Sequence, residues 1–350
     1  MMLRRKLYLG ALLGAILFLM IAAHTIQKTS FVFATNIQSH NEVRKNLLKN
    51  HTITEPKKHR SCSCASCIVD SGVSQWFDQR YNSKQKTYLS GRDDDIDSLS
   101  LKWWLSLQAS DGTIKDIMQT MFKVIPPPPE DETLRQNQCR KCAVVGNSGN
   151  LLNSKFGALI DSHTTVFRMN KAVTVGFEED VGNKTTHHFM YPESAIDVRP
   201  GVHLVLLPFK LKDMQWLSSA LSTGEIKMTY MRVKNLVAAD KDKASLIFPL
   251  LCVIQVMVVN PSFFKYIHDQ WTERHGRYPS TGMVAIIFAL HLCDEVSVFG
   301  YGADKQGNWH HYWENNRYAG AFRKTGVHNA DFETEVIQKL STEGKIKLYR

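Results

Sequence analysis

The chain has 350 residues, of which 43% are hydrophobic and 22% are charged, which is ordinary for a globular protein with a sizeable core. The formal net charge is +10 at pH 7, but the lysines and arginines are scattered and no basic helix interleaved with aromatic side chains is present, which disfavours a nucleic-acid-binding protein. An anionic small substrate or a membrane surface accounts better for the excess positive charge.

The amino terminus predicts a membrane anchor. Leu7–Ala23 is an uncharged apolar run that directly follows the basic residues Arg4–Lys6. A basic flank on this side keeps residues 1–6 in the cytoplasm and sends the rest of the chain across the membrane. A cleavable signal peptide is the alternative because the run is short for a span, although short spans suit thin early secretory membranes. Residues 24–60 are polar and weakly patterned, as expected of a lumenal stem before a domain at 61–350.

Cysteine spacing and two glycosylation triplets bear on the compartment. The chain has seven cysteines, and a zinc site at Cys139 and Cys142 would need a second ligand pair at matching spacing, which is not recognisable. A translocated protein favours disulfides instead. Asn50 and Asn183 begin N-glycosylation triplets, which matter only in a secretory lumen and are common by chance. The remaining cysteines are Cys62, Cys64, Cys67, Cys252 and Cys293.

Two helices and an acidic run precede the prolines Pro126–Pro129. Leu99–Leu107 and Thr113–Val124 have helical periodicity, and the second ends because proline cannot continue a helix. Asp93–Asp95 is an acidic triplet of a kind that binds metal ions in many enzymes. It lies in a polar loop beside other charges, so we interpret it as a solvated charge cluster.

Three predicted strands end in polar residues. Val145, Met169 and Met190 close apolar strands that begin at Ala143, Val166 and Thr185. Open α/β sheets bind ligands at the carboxyl ends of such strands, so this pattern outlines a nucleotide pocket. The turn GNSGN does not fit the G-x-G-x-x-G fingerprint, which disfavours a nicotinamide-dependent oxidoreductase. The polar segments that follow the three strands are Gly146–Asn150, Asn170 and Tyr191–Ser194.

The next elements alternate between strand and helix. Gly201–Phe209 predicts a buried strand, and a helix is expected from Asp213 to Ser222. After a short strand at Val256–Val259, Asn260 and Pro261 predict a helix start, and Gly276 predicts its end after His275.

A second helix is predicted to be buried. Met283–Leu292 is apolar on every side. Ser280, Thr281 and Gly282 open this helix, so free backbone N–H groups lie beside two hydroxyls and form a candidate anion site. Ordinary N-capping is the alternative. Val296–Phe299 predicts the following strand, and Gly300–Asp304 its exit.

Two histidine-bearing segments follow, WHHYWENN at Trp309–Asn316 and TGVHNADFE at Thr325–Glu333. His310 and His311 are adjacent and would diverge, so they could not easily share one metal ion. A lone histidine such as His328 is, by itself, more often structural than catalytic. The chain then ends in a predicted helix and an edge strand, Ala330–Leu340 and Lys345–Tyr349.

These segments together resemble the conserved motifs of animal sialyltransferases. CAVVGNSGNLL, FRMNKA and THHFMYPES match the first motif, RYPSTGMVAIIFALHLCDEV the second, and the two histidine segments the third and fourth. The similarity is closest to β-galactoside α-2,3-sialyltransferases that act on galactosyl-β-1,3-N-acetylgalactosamine, and it runs almost continuously from Cys62 to the end. It implies an α/β fold, a single Rossmann-like nucleotide-sugar transferase domain of GT-A-like type with a mostly parallel sheet flanked by helices.

The resemblance also implies an activity and a location. The enzyme would transfer sialic acid from CMP-sialic acid to the 3-hydroxyl of terminal galactose on glycoproteins or glycolipids, with inversion and without a metal or other cofactor. It would be a single-pass type II protein of the Golgi membrane, with the homodimer left open. The resemblance further implies disulfides between Cys62 and Cys67, Cys64 and Cys139, and Cys142 and Cys293.

Site residues follow by position from the same resemblance. His328 would be the general base, which a weakly acidic sugar hydroxyl requires, and His311 would support the leaving phosphate. Trp313–Val327 would form a lid that orders when the donor binds. Donor contacts are implied for Asn147, Asn170, Tyr191, Ser194, Ser280, Thr281, Gly282 and Gly302, and acceptor contacts for Gln108, Tyr230 and Tyr278.

The chain departs from the family pattern at Ala244–Gln255. Relatives pass almost directly from a lysine-rich turn to the strand that follows, whereas this chain has an apolar insertion that contains Cys252. We interpret it as a translated intron end or a gene-model error, and a genuine buried strand is the alternative. If the insertion disrupts the sheet, the protein would be a catalytically inactive lumenal glycan-binding protein.

Overall fold

The computed structural model describes residues 62–108, 113–125, 138–222, 225–234, 236, 256–315 and 326–350. The predicted tail, anchor and stem, the triplet at Asn50 and the insertion at 244–255 lie outside these residues. Within the described part, no helix is long and apolar enough to cross a membrane. The described residues belong to one compact unit, Ser61–Arg350.

The described residues build a seven-stranded sheet in the order β5-β4-β3-β2-β1-β6-β7. Every neighbouring pair is parallel, which confirms the predicted α/β class. The chain adds strands outward from β1 to β5 and then returns to place β6 on the other side of β1, so the strand order reverses between β1 and β6. Ligands bind at such a reversal in open α/β sheets. The strands are β1 Lys141–Val145, β2 Thr165–Met169, β3 His187–Met190, β4 His203–Leu206, β5 Val256–Val258, β6 Glu295–Phe299 and β7 Lys347–Tyr349.

Helices cover both faces of the sheet, and successive side chains of β1 point into two different cores. Cys142 and Val144 belong to the core that contains the long buried helix, whereas Ala143 and Val145 pack on the opposite face. Burial on both faces explains why the sequence of β1 is an uninterrupted apolar run from Cys142 to Val145. The helices are α1 Gln75–Asp78, α2 Ser98–Ser106, α3 Ile114–Val124, α4 Gly157–Asp161, α5 Glu178–Val181, α6 Leu211–Ala220, α7 Pro261–Tyr266, α8 Thr281–Leu292 and α9 Ala330–Thr342.

Helix α8 is buried on all sides, as its sequence predicts. The side chains from Met283 to Leu290 are fully buried, and the helix packs against β1, β2 and β6. Ser280 is its N-cap, because the Ser280 hydroxyl accepts a hydrogen bond from the Met283 N–H at 3.1 Å.

The helix predicted at Pro261–His275 is shorter than expected. Its α-helical part ends at Tyr266, and a π-helical turn continues to Trp271. The wider turn places the fully buried Trp271 ring against Phe77 and Tyr266 in the core. The helical segment thus ends at Trp271, before the end at His275 that Gly276 predicted.

The acidic triplet is only partly solvated. Asp93 and Asp94 are exposed, but Asp95 is buried. The Asp95 carboxylate accepts hydrogen bonds from the backbone N–H groups of Ser90 and Gly91 at 2.6 and 2.8 Å. The interpretation as a solvated cluster is therefore wrong for Asp95, which instead holds a turn together.

All three disulfides that the resemblance implied are present, between Cys62 and Cys67, Cys64 and Cys139, and Cys142 and Cys293. The third bond joins the first strand of the pocket to the carboxyl end of α8. Strand β5, which follows the insertion directly, pairs in parallel with β4, so the described sheet is not interrupted there.

Candidate active site

A cavity of about 290 Å³ lies where the strand order reverses. The exits of β1, β2 and β6, the start of α8 and the two histidine segments converge on it. Nine of the residues implied as site residues line this cavity together: Asn147, Asn170, Tyr191, Ser280, Thr281, Gly282, Gly302, His311 and His328. The structure therefore brings most of the implied site residues together in one pocket.

Two asparagines present unsatisfied hydrogen-bond acceptors at the cavity. The Oδ1 atoms of Asn147 and Asn170 are buried and have no hydrogen-bond partner among the described residues. The Nδ2 group of Asn147 donates to the Met169 carbonyl at 3.0 Å, which fixes the orientation of its amide. Asn170 adopts a left-handed backbone with φ of 59°, a conformation that asparagine tolerates better than most residues. A buried polar atom without a partner is costly, so both oxygens suit a ligand that donates hydrogen bonds.

The start of α8 offers backbone donors rather than the Ser280 hydroxyl. That hydroxyl donates to the Glu333 carboxyl at 2.5 Å and accepts from Met283, so its hydrogen bonds are already made. The N–H groups of Thr281 and Gly282 belong to the first helical turn, which has no intrahelical acceptors. With the helix dipole they favour an anion at this end.

Glu333 supports the start of α8 from outside the cavity lining, and the sequence did not single it out. It lies in the first turn of α9, is 7% exposed, and accepts from the Ser280 N–H at 2.8 Å. Burial raises the pKa of this carboxyl to about 7. A neutral Glu333 next to the start of α8 would repel a bound anion less than a carboxylate would.

Tyr301 lines the cavity, although the sequence did not predict it as a site residue. Its hydroxyl donates to the Gly282 carbonyl at 3.1 Å, and a Cβ added at Gly282 would lie 2.9 Å from the tyrosine ring. Glycine is therefore required at position 282 for the ring to pack against the helix start. Gly302 differs, because its Cβ would meet nothing within 4 Å while its φ is +90°.

His311 is held by its own segment and by the exit of β1. Its Nδ1 lies 3.0 Å from the Glu314 carboxylate, and its ring stacks on Trp313 at 4.5 Å. The neighbouring backbone is tied to β1, since the Tyr312 N–H donates to the Asn147 carbonyl at 3.1 Å. Glu314 would stabilise a charged imidazolium at position 311. His310 lines the same cavity.

His328 is oriented by a backbone carbonyl. Its Nδ1 lies 2.8 Å from the Tyr278 carbonyl oxygen, so Nδ1 carries the proton and Nε2 is the basic nitrogen of the neutral ring. Burial lowers the pKa of His328 below its usual value. The ring therefore stays neutral at neutral pH, which is the state that a general base needs.

Four implied residues lie outside the cavity lining. Ser194 donates its hydroxyl to the Tyr191 carbonyl within a 3₁₀ turn. The three residues implied for acceptor binding instead lie near the start of α6. Gln108 Oε1 accepts from the Leu211 N–H at 2.7 Å, Tyr230 bonds to Asp213 at 2.6 Å, and Tyr278 packs on Phe209 at 5.1 Å between ring centres.

The predicted lid lies largely outside the described residues, which omit 316–325. Its two ends are described, with Trp313 stacked on His311 and the Val327 carbonyl accepting from the Arg277 N–H at 2.8 Å. Both ends are therefore attached beside the cavity.

Clusters of possible metal ligands among the described residues involve disulfide sulfurs. They comprise Cys62 and Cys64 with Asp294, and Cys64 and Cys139 with Glu295. Because these sulfurs are in disulfides, no thiolate is available to bind a metal ion there.

Comparison with known proteins identifies the family. The family model of glycosyltransferase family 29 (sialyltransferase) matches residues 89–345. The chain is 49% identical over 300 residues to CMP-N-acetylneuraminate-beta-galactosamide-alpha-2,3-sialyltransferase 2 of Rattus norvegicus, covering 85% of this chain and 82% of that protein. It is 45% identical over 296 residues to CMP-N-acetylneuraminate-beta-galactosamide-alpha-2,3-sialyltransferase 1 of Homo sapiens, covering 84% of each.

Solved structures agree. The crystal structure of a mammalian sialyltransferase matches with a TM-score of 0.72 at 42% identity, over 83% of this chain and 99% of that one. A structure of a mammalian sialyltransferase in complex with Gal-beta-1-3GalNAc-ortho-nitrophenol gives 0.71 at 42% identity, over 82% and 98%. The resemblance read from the sequence is confirmed, and the chain belongs to glycosyltransferase family 29, the sialyltransferases.

Proposed function

We propose that the chain transfers sialic acid from CMP-sialic acid to the 3-hydroxyl of a terminal galactose in Gal-β-1,3-GalNAc, with inversion of configuration. The observation that carries the proposal is a single cavity that joins unsatisfied amide oxygens, the first turn of α8 and two histidines. The names of the relatives support the α-2,3 linkage, and the acceptor derivative in the structural neighbour supports the disaccharide. The disaccharide would be carried by a glycoprotein or a glycolipid.

Asn147 and Asn170 would hold the nucleotide of the donor. The cytosine amino group and the ribose hydroxyls are hydrogen-bond donors, and the free Oδ1 atoms of these two residues are acceptors. Tyr191 and Gly302 would complete this part of the site, and Ser194 would act indirectly by fixing the turn after Tyr191.

His328 would remove the proton from the galactose hydroxyl. Its hydrogen bond to the Tyr278 carbonyl leaves Nε2 as the basic nitrogen, and its lowered pKa keeps the ring neutral at physiological pH. A hydroxyl attacking the anomeric carbon becomes acidic only as the new bond forms, so a positioned base lowers the barrier at that point.

His311 and the start of α8 would stabilise the leaving phosphate. CMP gains negative charge as the bond to sialic acid breaks, and donors already aimed at that position stabilise it without reorganisation. The Glu314 carboxylate holds the His311 ring through Nδ1 at 3.0 Å, and the N–H groups of Thr281 and Gly282 provide uncharged donors. We further propose that these residues do this without a metal or other cofactor.

The protein would be a single-pass type II protein of the Golgi membrane with its catalytic domain in the lumen. The apolar run at Leu7–Ala23 after a basic flank supports this orientation. The three disulfides fit an oxidising lumen. Asn183 is exposed and precedes β3, at the amino ends of the strands, where a glycan would not block the cavity.

The test is turnover by the full-length chain in a membrane preparation. CMP-sialic acid would be supplied with Gal-β-1,3-GalNAc on a glycoprotein and on a glycolipid, and the linkage of the product would be read with an α-2,3-specific sialidase. We expect α-2,3-linked product with and without EDTA. Absence of transfer, or a different linkage, would refute the function, and a rate that depends on added manganese would refute only the metal-free mechanism.

A further inference from the structure

Four charged or titratable side chains form a cluster beside the cavity, at the carboxyl ends of β3 and β4. We call them the Asp213 cluster: Glu193, Lys210, Asp213 and Tyr230. Asp213 is 1% exposed, and the other three lie nearer to solvent. The Tyr230 hydroxyl oxygen lies 2.6 Å from Asp213 Oδ1 and 2.8 Å from Glu193 Oε2.

The number of protons in the cluster constrains its charge state. A phenol has one O–H, so Tyr230 can donate to only one of the two carboxyl groups. The other contact is a hydrogen bond only if that carboxyl carries a proton and donates to the tyrosine oxygen. Burial and the two carboxyl groups raise the pKa of Tyr230 well above its usual value, so the phenol itself keeps its proton.

The contacts indicate which carboxyl carries the proton. Glu193 is exposed and pairs with the Lys210 ammonium at 3.0 Å, so it is the ionised partner. Asp213 is buried and accepts at Oδ2 from the Lys210 backbone N–H at 2.8 Å. Burial raises the pKa of Asp213 to about 7.

The surroundings of Asp213 add no other charge among the described residues. Tyr230, Lys210 and Glu193 are the groups that act on it. Helix α3, which also packs against α6, presents the apolar Ile117 and Met121 on its buried face.

The cluster is coupled to the site. Burial, together with the negative charge of Glu193, raises the pKa of Tyr191, which lines the cavity, and of Tyr278, whose carbonyl holds His328. Gln108 is bonded to the Leu211 N–H, two residues before Asp213. The residues implied for acceptor binding therefore meet at this cluster.

We propose that Asp213 is protonated while the enzyme binds its acceptor, and that it positions Tyr230 for a neutral galactoside. This inference rests on the proposed function. Asp213 donates to the Tyr230 oxygen, and Tyr230 donates to Glu193. These two hydrogen bonds fix the orientation of the ring and occupy the O–H and one lone pair of the phenol, so the second lone pair has a fixed direction. That lone pair accepts from a sugar hydroxyl. Loss of the Asp213 proton leaves two carboxylates competing for one O–H, and Tyr230 is released.

The matched variants are Asp213→Asn and Asp213→Ala. An asparagine can offer its oxygen to the Lys210 N–H and its NH₂ group to the Tyr230 oxygen, so it reproduces the protonated acid at every pH. Alanine provides neither group. If Asp213 were instead an ionised acceptor for Tyr230, the asparagine would lose the bond that the proposal says it keeps.

The experiment measures acceptor KM and kcat of the full chain at pH 6 and pH 8 with saturating donor. For the unmodified chain we expect acceptor KM to rise about tenfold, because about one tenth of the molecules keep the proton at pH 8. Asp213→Asn should flatten that rise, and Asp213→Ala should show a raised acceptor KM at both pH values. An unchanged rise in Asp213→Asn, or an Asp213→Asn variant that behaves like Asp213→Ala, would overturn the proposal.

A second measurement does not depend on turnover. The infrared difference spectrum between the unmodified chain and Asp213→Asn should contain the carbonyl band of a protonated carboxyl group at pH 6, which weakens at pH 8. Absence of the band at pH 6 would contradict a protonated Asp213. If no galactoside were sialylated, the proposed function would be refuted. The infrared band would still show whether Asp213 is protonated.

Discussion

The proposed donor side and the proposed acceptor side of the site differ in the hydrogen bonds that their residues already make. At the donor side, around β1, β2 and α8, the Oδ1 atoms of Asn147 and Asn170 have no partner among the described residues. At the acceptor side, around the start of α6, Gln108 and Tyr230 are already hydrogen-bonded to protein groups. The donor side therefore offers acceptor atoms that a ligand can bind directly. On the acceptor side, the existing hydrogen bonds either orient Gln108 and Tyr230 for the sugar or are replaced when the sugar binds.

Each side also contains one buried carboxyl group whose pKa is raised to about 7. Glu333 bonds to Ser280 under the start of α8, and Asp213 bonds to Tyr230. Among the described residues, the hydrogen bonds of Glu333 involve no second carboxylate, while Asp213 shares Tyr230 with Glu193. A buried carboxyl group thus has a different role on each side. Glu333 holds the start of α8, and Asp213 sets the direction of the Tyr230 hydroxyl.

The largest expected effect is a loss of kcat without a loss of substrate binding on either side. His328→Ala removes the base, and kcat should fall by roughly 100-fold or more while donor affinity is largely kept. Steady-state kinetics with a titration of CMP would check this. His275→Ala is the control, since His275 is exposed and stacks on Phe332 outside the cavity lining, and its kcat should change by less than about twofold. Near-normal turnover in His328→Ala would remove it from the base role.

The next effect tests the hydrogen bonds between Glu333 and Ser280 on the donor side. The pKa of Glu333 is raised on folding, so its contribution to stability is present at low pH and is lost as pH rises through about 7. Between pH 5 and pH 7 this loss should be about 2 kcal/mol for Glu333. Thermal unfolding across this range should show a shallower decline for Glu333→Gln. A slope equal to that of the unmodified chain would show that Glu333 does not change protonation on folding.

A smaller effect tests the vacant amide oxygens. Asn170→Ala should raise donor KM about tenfold, since one hydrogen bond to the donor is lost, and should change acceptor KM little. Asn170 has a left-handed backbone, so Asn170→Gly serves as the control that removes the side chain without backbone strain. An acceptor KM that rises as much as donor KM would erase the distinction between the two sides.

The smallest effect concerns a position remote from both sides. Asn183→Gln should remove any glycan, visible as a shift in mass, and should change kcat/KM for either substrate by less than about twofold. A larger change would mean that the amino ends of the strands influence the site.

Local sequence features determined the elements that frame the donor side. The apolar run that ends at Val145, the asparagine after Met169 and the Ser280 cap before an all-apolar helix each depend on neighbours within a few positions. Such patterns report which segments form strands and helices and where they end. The resemblance then supplied the disulfide pairing and the roles of the two histidines, because residue spacing alone disfavoured zinc without showing which cysteines pair.

Only the tertiary structure decided how the side chains between these elements pair. Glu333 reaches Ser280, Gln108 reaches Leu211, and Asp95 closes its own turn, none of which follows from periodicity. Packing also replaced the end of the predicted helix at His275 with a π turn that buries Trp271. The physical reason is that burial sets the cost of leaving a polar group unpaired, and burial depends on residues far away in the chain. The sequence determined which groups are available, and the fold determined which of them are left free for a substrate.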